Sequence, residues 1–230
     1  MLIGLVGKAM AGKSIAASYL EHVHSFQEAA FADPLRAGLK AMLLLQDSDF
    51  EQARKEIPVD WIGQSPRQLL QSLGTEWGRN LVRRHIWVIA MAQKLRPVLR
   101  IGNDVVISDV RFVDEAEMVH RLGGQIWRIV RPGAETTAHS DHTSEQEHAR
   151  IVEDVTLIND GTQEQLFESI DDALCGWIAR GGDDPAQGLS ITKAEQVRMC
   201  GNSVSPPVAA ALVAANLGEM RINQPQEKDS

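Results

Sequence analysis

Eight residues near the start of the chain, Gly7-Lys8-Ala9-Met10-Ala11-Gly12-Lys13-Ser14, carry types and a spacing that suit the gripping of a polyphosphate. The glycines let the backbone curl so that successive N–H groups point inward at phosphate oxygens. A helix opening at Lys13 adds the positive potential of its first turn. Lys13 is placed to contact the β- and γ-phosphates, and the Ser14 hydroxyl to ligate Mg²⁺ beside them. The expected donor is therefore ATP with Mg²⁺, bound by residues 7–14. Such a loop also serves ATPases, GTPases and nucleotide-sensing regulators. The chain lacks the guanine-binding pattern Asn-Lys-x-Asp, which weakens the GTPase option. The acceptor side must decide the rest.

A second group of residues follows an apolar run at 104–108. Ile107-Ser108-Asp109-Val110-Arg111 places Asp109 at the carboxyl end of a strand, where open α/β sheets bind ligands. Asp109 is suited to orient Mg²⁺-bound water or the acceptor. Arg111 is suited to bind the acceptor phosphate or the charge that develops during transfer. Arg111 and Glu115, four apart, share a face, and their blander role is an ion pair at a helix start. On a helix over 66–80, Leu69, Leu70, Leu73 and Trp77 form a core-facing stripe. Arg67, Gln71 and Thr75 fall on the opposite side beside Gly74 and Gly78, able to hold a phosphate and a base edge or simply to face solvent. Arg128 and Arg131 flank a strand at 125–130, and a polar stretch over 132–147 follows. A lid carrying an arginine there would keep water from the γ-phosphate. His139, Asp141, His142 and Glu145 lack the spacing of a structural metal site.

The elements that must position these groups alternate. Strands are expected at 2–6, 104–108, 125–130 and 155–158, with a weaker one at 26–31. Helices are expected from Lys13 to about Val23 and near 34–46, 66–80, 85–96, 112–122 and 163–179. Strands apolar throughout, alternating with helices, predict an α/β fold: a three-layer α/β/α P-loop architecture with a mainly parallel sheet. Residues 1–180 form that domain, 181–191 a turn-rich linker, and 192–230 a small helical tail with a polar, disordered end.

Composition bounds the partners. The chain of 230 residues carries a formal charge of −8 and has a pI near 5.4, which argues against a protein that coats duplex nucleic acid. No apolar run of membrane-spanning length and no signal-like leader occur, so a cytoplasmic protein acting on small nucleotides is expected. Cys175 and Cys200 are too few for a disulfide scaffold.

Taken in order, Phe31-Ala32-Asp33-Pro34-Leu35-Arg36, Arg67-Gln68-Leu69-Leu70-Gln71, Gly74-Thr75-Glu76, Ser108-Asp109-Val110-Arg111-Phe112, Gly123-Gly124, His142-Thr143-Ser144-Glu145 and Asn159-Asp160-Gly161-Thr162 resemble the viral deoxynucleoside monophosphate kinases. The resemblance covers about residues 1–178, and dephospho-coenzyme A kinases share the general plan. It implies a doubly wound P-loop kinase using ATP and Mg²⁺, often a dimer. It also implies that Asp33, Arg36, Arg67, Gln71, Gly74, Thr75, Asp109, Arg111 and Glu115 line the acceptor site, with Arg131 as lid arginine. The stretch 47–64 matches nothing in that family and is a candidate acceptor-covering insertion.

Residues 189–217, centred on Gly201-Asn202-Ser203-Val204 and the prolines that follow, resemble the last conserved block of DNA cytosine-5 methyltransferases. No Pro-Cys nucleophile accompanies them, so they read as a fused remnant or docking tail, or otherwise as a piece that completes a methyltransferase on another chain. The expected activity is phosphoryl transfer from ATP to a deoxynucleoside monophosphate. Open alternatives are a modified deoxynucleotide, a hydroxymethylated base in DNA or a coenzyme precursor as acceptor. A nucleotide-sensing module that docks a methyltransferase is a further alternative.

Overall fold

The computed structural model describes residues 1–133 and 147–179. The candidate lid and its His139, Asp141, His142 and Glu145, the linker and the tail therefore lie outside the described residues. Five strands form one parallel sheet: β1 (Leu2–Val6), β2 (Gln27–Ala29), β3 (Val105–Ile107), β4 (Gln125–Val130) and β5 (Val155–Ile158). Their spatial order is β2-β3-β1-β4-β5, and every pairing is parallel. β1 and β3 are buried at every position, as continuous apolar runs require when helices cover both faces.

Alternate residues divide the core between two layers. Ile3, Leu5, Trp127 and Ile129 face α1 (Lys13–His24) and α6 (Gln163–Ala179). Leu2, Val6, Ile107 and Ile126 face α4 (Ile86–Arg100) and α5 (Val113–Arg121). On the first layer, Tyr19 stacks on Phe167 with ring centroids 3.9 Å apart. The connection after β1 thus leaves toward one face, and the connection after β3 toward the other. β1 and β3 are neighbours, so a crevice opens between their carboxyl ends, which is where open sheets of this kind bind ligands. Residues 7–12 and 108–112 flank it.

A third group of helices lies between β2 and β3 in the chain. α2 (Asp33–Leu43) is followed by a short 3-10 turn (Asp47–Phe50) and then α3 (Pro66–Gln71). Ser65 caps α3 through a reciprocal pair with Gln68. The expected regular helix over 66–80 is corrected here. Beyond Gln71 the chain widens into a π-type helix, Ser72–Val82, whose hydrogen bonds span five residues instead of four. Trp87 supplies the physical reason. Its indole N–H donates to the Gly74 carbonyl at 2.8 Å, and its ring lies so close to Gly78 that a Cβ there would meet it at 2.6 Å. A side chain pressed into the helix ladder opens the turn. The 3.6-residue wheel therefore fails past Gln71, and Trp77, expected in the core, is 47% exposed. Among the described residues no helix is long and apolar enough to cross a membrane.

Candidate active site

The turn after β1 is held from behind by two close approaches. A Cβ on Gly7 would meet the Ile129 carbonyl oxygen at 2.6 Å, so only glycine lets the loop leave the sheet there. Gly12 has φ +107° and caps α1, and a Cβ on it would meet Asn159 Nδ2 at 2.5 Å. Asn159, buried at the end of β5, donates that amide to the Ala11 carbonyl at 2.8 Å. Lys13 folds back over its own loop, its Nζ donating to the carbonyls of Gly7 at 2.6 Å and Lys8 at 2.8 Å. Burial lowers the Lys13 pKa to about 8, helped by the neighbouring Arg111 and opposed by Asp109. Ser14 sits exposed on the first turn of α1.

Across the crevice, Asp109 accepts the N–H of Phe31 at 2.7 Å and of Ala32 at 3.0 Å. Asp33 accepts the N–H of Ala30 at 2.9 Å, with Lys94 at 3.5 Å and Arg36 at 3.9 Å from its carboxylate. Two carboxylates therefore fix the turn that starts α2. Burial raises the Asp109 pKa, against the pull of the two amides and of Arg111. Lys13, Asp109, Arg111 and Asp33 thus influence one another at the mouth, as their positions after β1, β2 and β3 suggested.

Glu115 is arranged differently from its expected pairing with the Arg111 side chain. It is 2% exposed, and one oxygen accepts from the Arg79 guanidinium at 2.6 Å. The other accepts the backbone N–H of Arg111 at 2.8 Å and of Phe112 at 3.2 Å. Its effect on the site runs through the Arg111 backbone. Gly74 is buried, packed beside Leu35 of α2, with its carbonyl taken by Trp87, so it serves helix packing. Gln71, at the end of α3, and Thr75, on the widened helix, are exposed. Arg67 donates to Glu56 at 2.7 Å, and its backbone N–H to the Lys55 carbonyl at 3.0 Å, which ties the unplaced stretch 47–64 to α3. Arg131 is exposed just past β4, while Arg128 of β4 is tied down by the Ile151 carbonyl at 2.7 Å and Glu153 at 2.9 Å.

Two groups escaped sequence reasoning. His148 accepts the N–H of Gly7 through Nε2 at 3.1 Å. Burial pushes its pKa down to about 4, aided by Arg128 and Lys13, so a neutral imidazole props the start of the phosphate loop. A lone histidine outside any motif offers no signal for this. Arg79 is the second, and its only clue was a cation beside the glycines of the widened helix.

Among the described residues, no three His, Cys, Asp or Glu side chains converge as a metal site. An exposed Ser14 hydroxyl beside a phosphate loop fits Mg²⁺, which favours few protein ligands together with nucleotide phosphates and water.

A family model for deoxynucleotide monophosphate kinase matches residues 44–170, more than half of the chain. The match begins after the phosphate loop, so the two signals are independent. A protein of Acanthamoeba polyphaga mimivirus described as a putative deoxynucleotide monophosphate kinase is 37% identical over 188 residues, covering 74% of this chain and 94% of its own. The deoxynucleotide monophosphate kinase of Escherichia phage RB69 is 34% identical over 113 residues, 48% of this chain and 45% of its own. The deoxynucleoside-5'-monophosphate kinase of Escherichia phage T5 is 38% identical over 87 residues, 35% of this chain and 34% of its own.

Proposed function

Since the chain belongs to the deoxynucleotide monophosphate kinase family, we propose that it transfers the γ-phosphoryl group of ATP to a deoxynucleoside monophosphate, giving the diphosphate and ADP. The observation that carries this reading is the junction of a complete phosphate loop with Arg111 and Asp109, beyond the carboxyl ends of the neighbouring parallel strands β1 and β3. A donor and an acceptor phosphate can meet there without either strand moving.

The roles follow from position. Backbone N–H groups of residues 7–14 cradle the donor phosphates. Lys13 exchanges its two carbonyl partners for phosphate oxygens, and the gain in negative charge restores its full protonation. Mg²⁺, held through Ser14, neutralises charge on the donor phosphates when bound. Arg111 faces the transferred group and stabilises its charge, and Asp109 keeps the α2 turn in register with that group. Arg36, Arg67, Gln71 and Thr75 offer the acceptor its phosphate and base contacts. Arg131 approaches from the far rim as lid arginine. Transfer of this kind depends on positioning and charge neutralisation more than on covalent catalysis. Dimer formation is supported by the exposed apolar side chains Leu81 and Val82 on the widened helix and Trp61 in the turn before α3, and light scattering in solution tests it. Residues 1–180 are proposed as the catalytic domain, with 192–230 as an appended tail.

The deciding experiment is a coupled ADP-release assay across all ribo- and deoxyribonucleoside monophosphates. Release that rises with a deoxynucleotide acceptor supports the proposal. ATP turnover indifferent to every acceptor overturns it.

A further inference from the structure

Arg79 belongs to no motif, yet it meets two carboxylates and an aromatic ring. Its side chain is 14% exposed. One guanidinium nitrogen donates to Glu115 Oε1 at 2.6 Å, and another lies 3.6 Å from Asp114 Oδ2. The guanidinium carbon sits 3.9 Å from the centre of the Phe112 ring, within cation–π range. Just past the widened helix, His85 Nδ1 lies 2.8 Å from the same Asp114 oxygen. The end of that helix therefore clasps the first turn of α5.

The far end of the clasp is the catalytic mouth. Glu115 faces Arg79 with one oxygen, and with the other it takes the N–H groups of Arg111 and Phe112. Asp109 is the remaining charge acting on it. If the contact served stability alone, an apolar filler of similar volume would do as well, because desolvation cancels much of what a buried ion pair contributes. The charged version adds direction. It ties the Arg111 backbone, four residues past the end of β3, to the helix that carries Thr75.

We propose that Arg79 is a positioning residue that, through Glu115, fixes Arg111 relative to the acceptor-side helix, so that acceptor phosphate and transferred group are aligned by one ion-pair network. The catalytic part of this inference rests on the phosphotransfer reading, while the structural part stands apart from it.

The test compares wild type with Arg79→Leu, Arg79→Lys and Glu115→Gln. Steady-state kinetics are measured with ATP and with the best acceptor. Two further readouts need no turnover: amide exchange at Arg111 and Phe112, and NMR titration of the Glu115 carboxyl. Arg79→Leu is expected to lower kcat about 100-fold while leaving the KM for ATP within about threefold, with Arg79→Lys recovering part of kcat. Exchange at the Arg111 amide should quicken about tenfold or more, and the Glu115 titration should move to higher pH. Unchanged exchange and titration in Arg79→Leu overturn the proposal. So does a kcat within about twofold of wild type, or a melting-temperature loss equal in Leu and Lys variants with no separation of kcat from KM. A wild type without acceptor-dependent ADP release defeats the phosphotransfer reading instead, and the exchange and titration data still decide whether Arg79 holds Arg111.

Discussion

The phosphate loop and the acceptor-side helices reach order by opposite routes. The loop takes its shape from its own backbone: a left-handed Gly12, a Gly7 pressed on the Ile129 carbonyl, and a helix start at Lys13. It is propped from behind by the distant Asn159 and His148. The acceptor side is built from side chains that find partners far away, such as Arg79 with Glu115, 36 residues on, and Trp87 with Gly74, 13 residues back. The donor grip is therefore set chiefly by backbone conformation, whereas the acceptor side depends on particular ion pairs. Donor chemistry can be shared among enzymes while acceptor choice varies.

That contrast can be broken most directly at Lys13. Lys13→Ala removes the one side chain of the loop that must meet transferring charge, and kcat in the ADP-release assay should fall about 10²–10³-fold. An equal loss of kcat in Arg67→Ala would erase the distinction between the two regions.

Glu115 sharpens it through pH. Burial, with a smaller contribution from Asp109, raises its pKa from 4.5 to about 7, against Arg79 and the two amides. Folded Glu115 then keeps a proton that the unfolded chain has released. Stability from this group is full below pH 4.5, declines as pH rises through the window to about 7, and is level above it. The decline is on the order of 3 kcal/mol. Thermal melts from pH 4.5 to 8 should show a shallower slope for Glu115→Gln, and an unchanged slope would place the titration elsewhere.

At the loop, Gly12→Ala forces a side chain into a left-handed backbone and against Asn159, costing about 1–3 kcal/mol. Melts and ATP titration should both report it, and the additional change Asn159→Ala should relieve part of the loss if the clash with its amide is the cause. The smallest effect is expected for Arg67→Ala. Its pair with Glu56 is half-exposed on both sides, so stability should shift by less than about 1 kcal/mol. The KM for the acceptor should rise about tenfold, with the KM for ATP unmoved. A matching rise in the KM for ATP would show that the two regions are not separable.

Some of this architecture was readable before any fold was known. The parallel, doubly covered sheet followed from continuous apolar runs at 2–6 and 104–108, which only a strand buried on both faces needs. The strands at 125–130 and 155–158 appear where their composition placed them. The helix over 66–80 was read as regular because periodicity assumes a constant turn. The widening that Trp87 imposes depends on a residue from the next helix. Arg111 and Glu115 were read as a side-chain pair because four residues separate them, and the competing amide and guanidinium partners were invisible at that range.

The residue order alone determined the phosphate-loop motif and the sheet, since both are written in local residue spacing and in burial patterns that repeat within a few residues. The three-dimensional packing alone decided that Glu115 serves the Arg111 backbone, that Arg79 is its counter-ion, that His148 props Gly7 and that Asn159 holds Ala11. Three of these rest on hydrogen bonds between groups 36, 141 or 148 residues apart, and the first, between residues only four apart, leaves Glu115 its other oxygen for Arg79. Spacing along a chain carries no information about which distant donor will outcompete a near one once water is excluded.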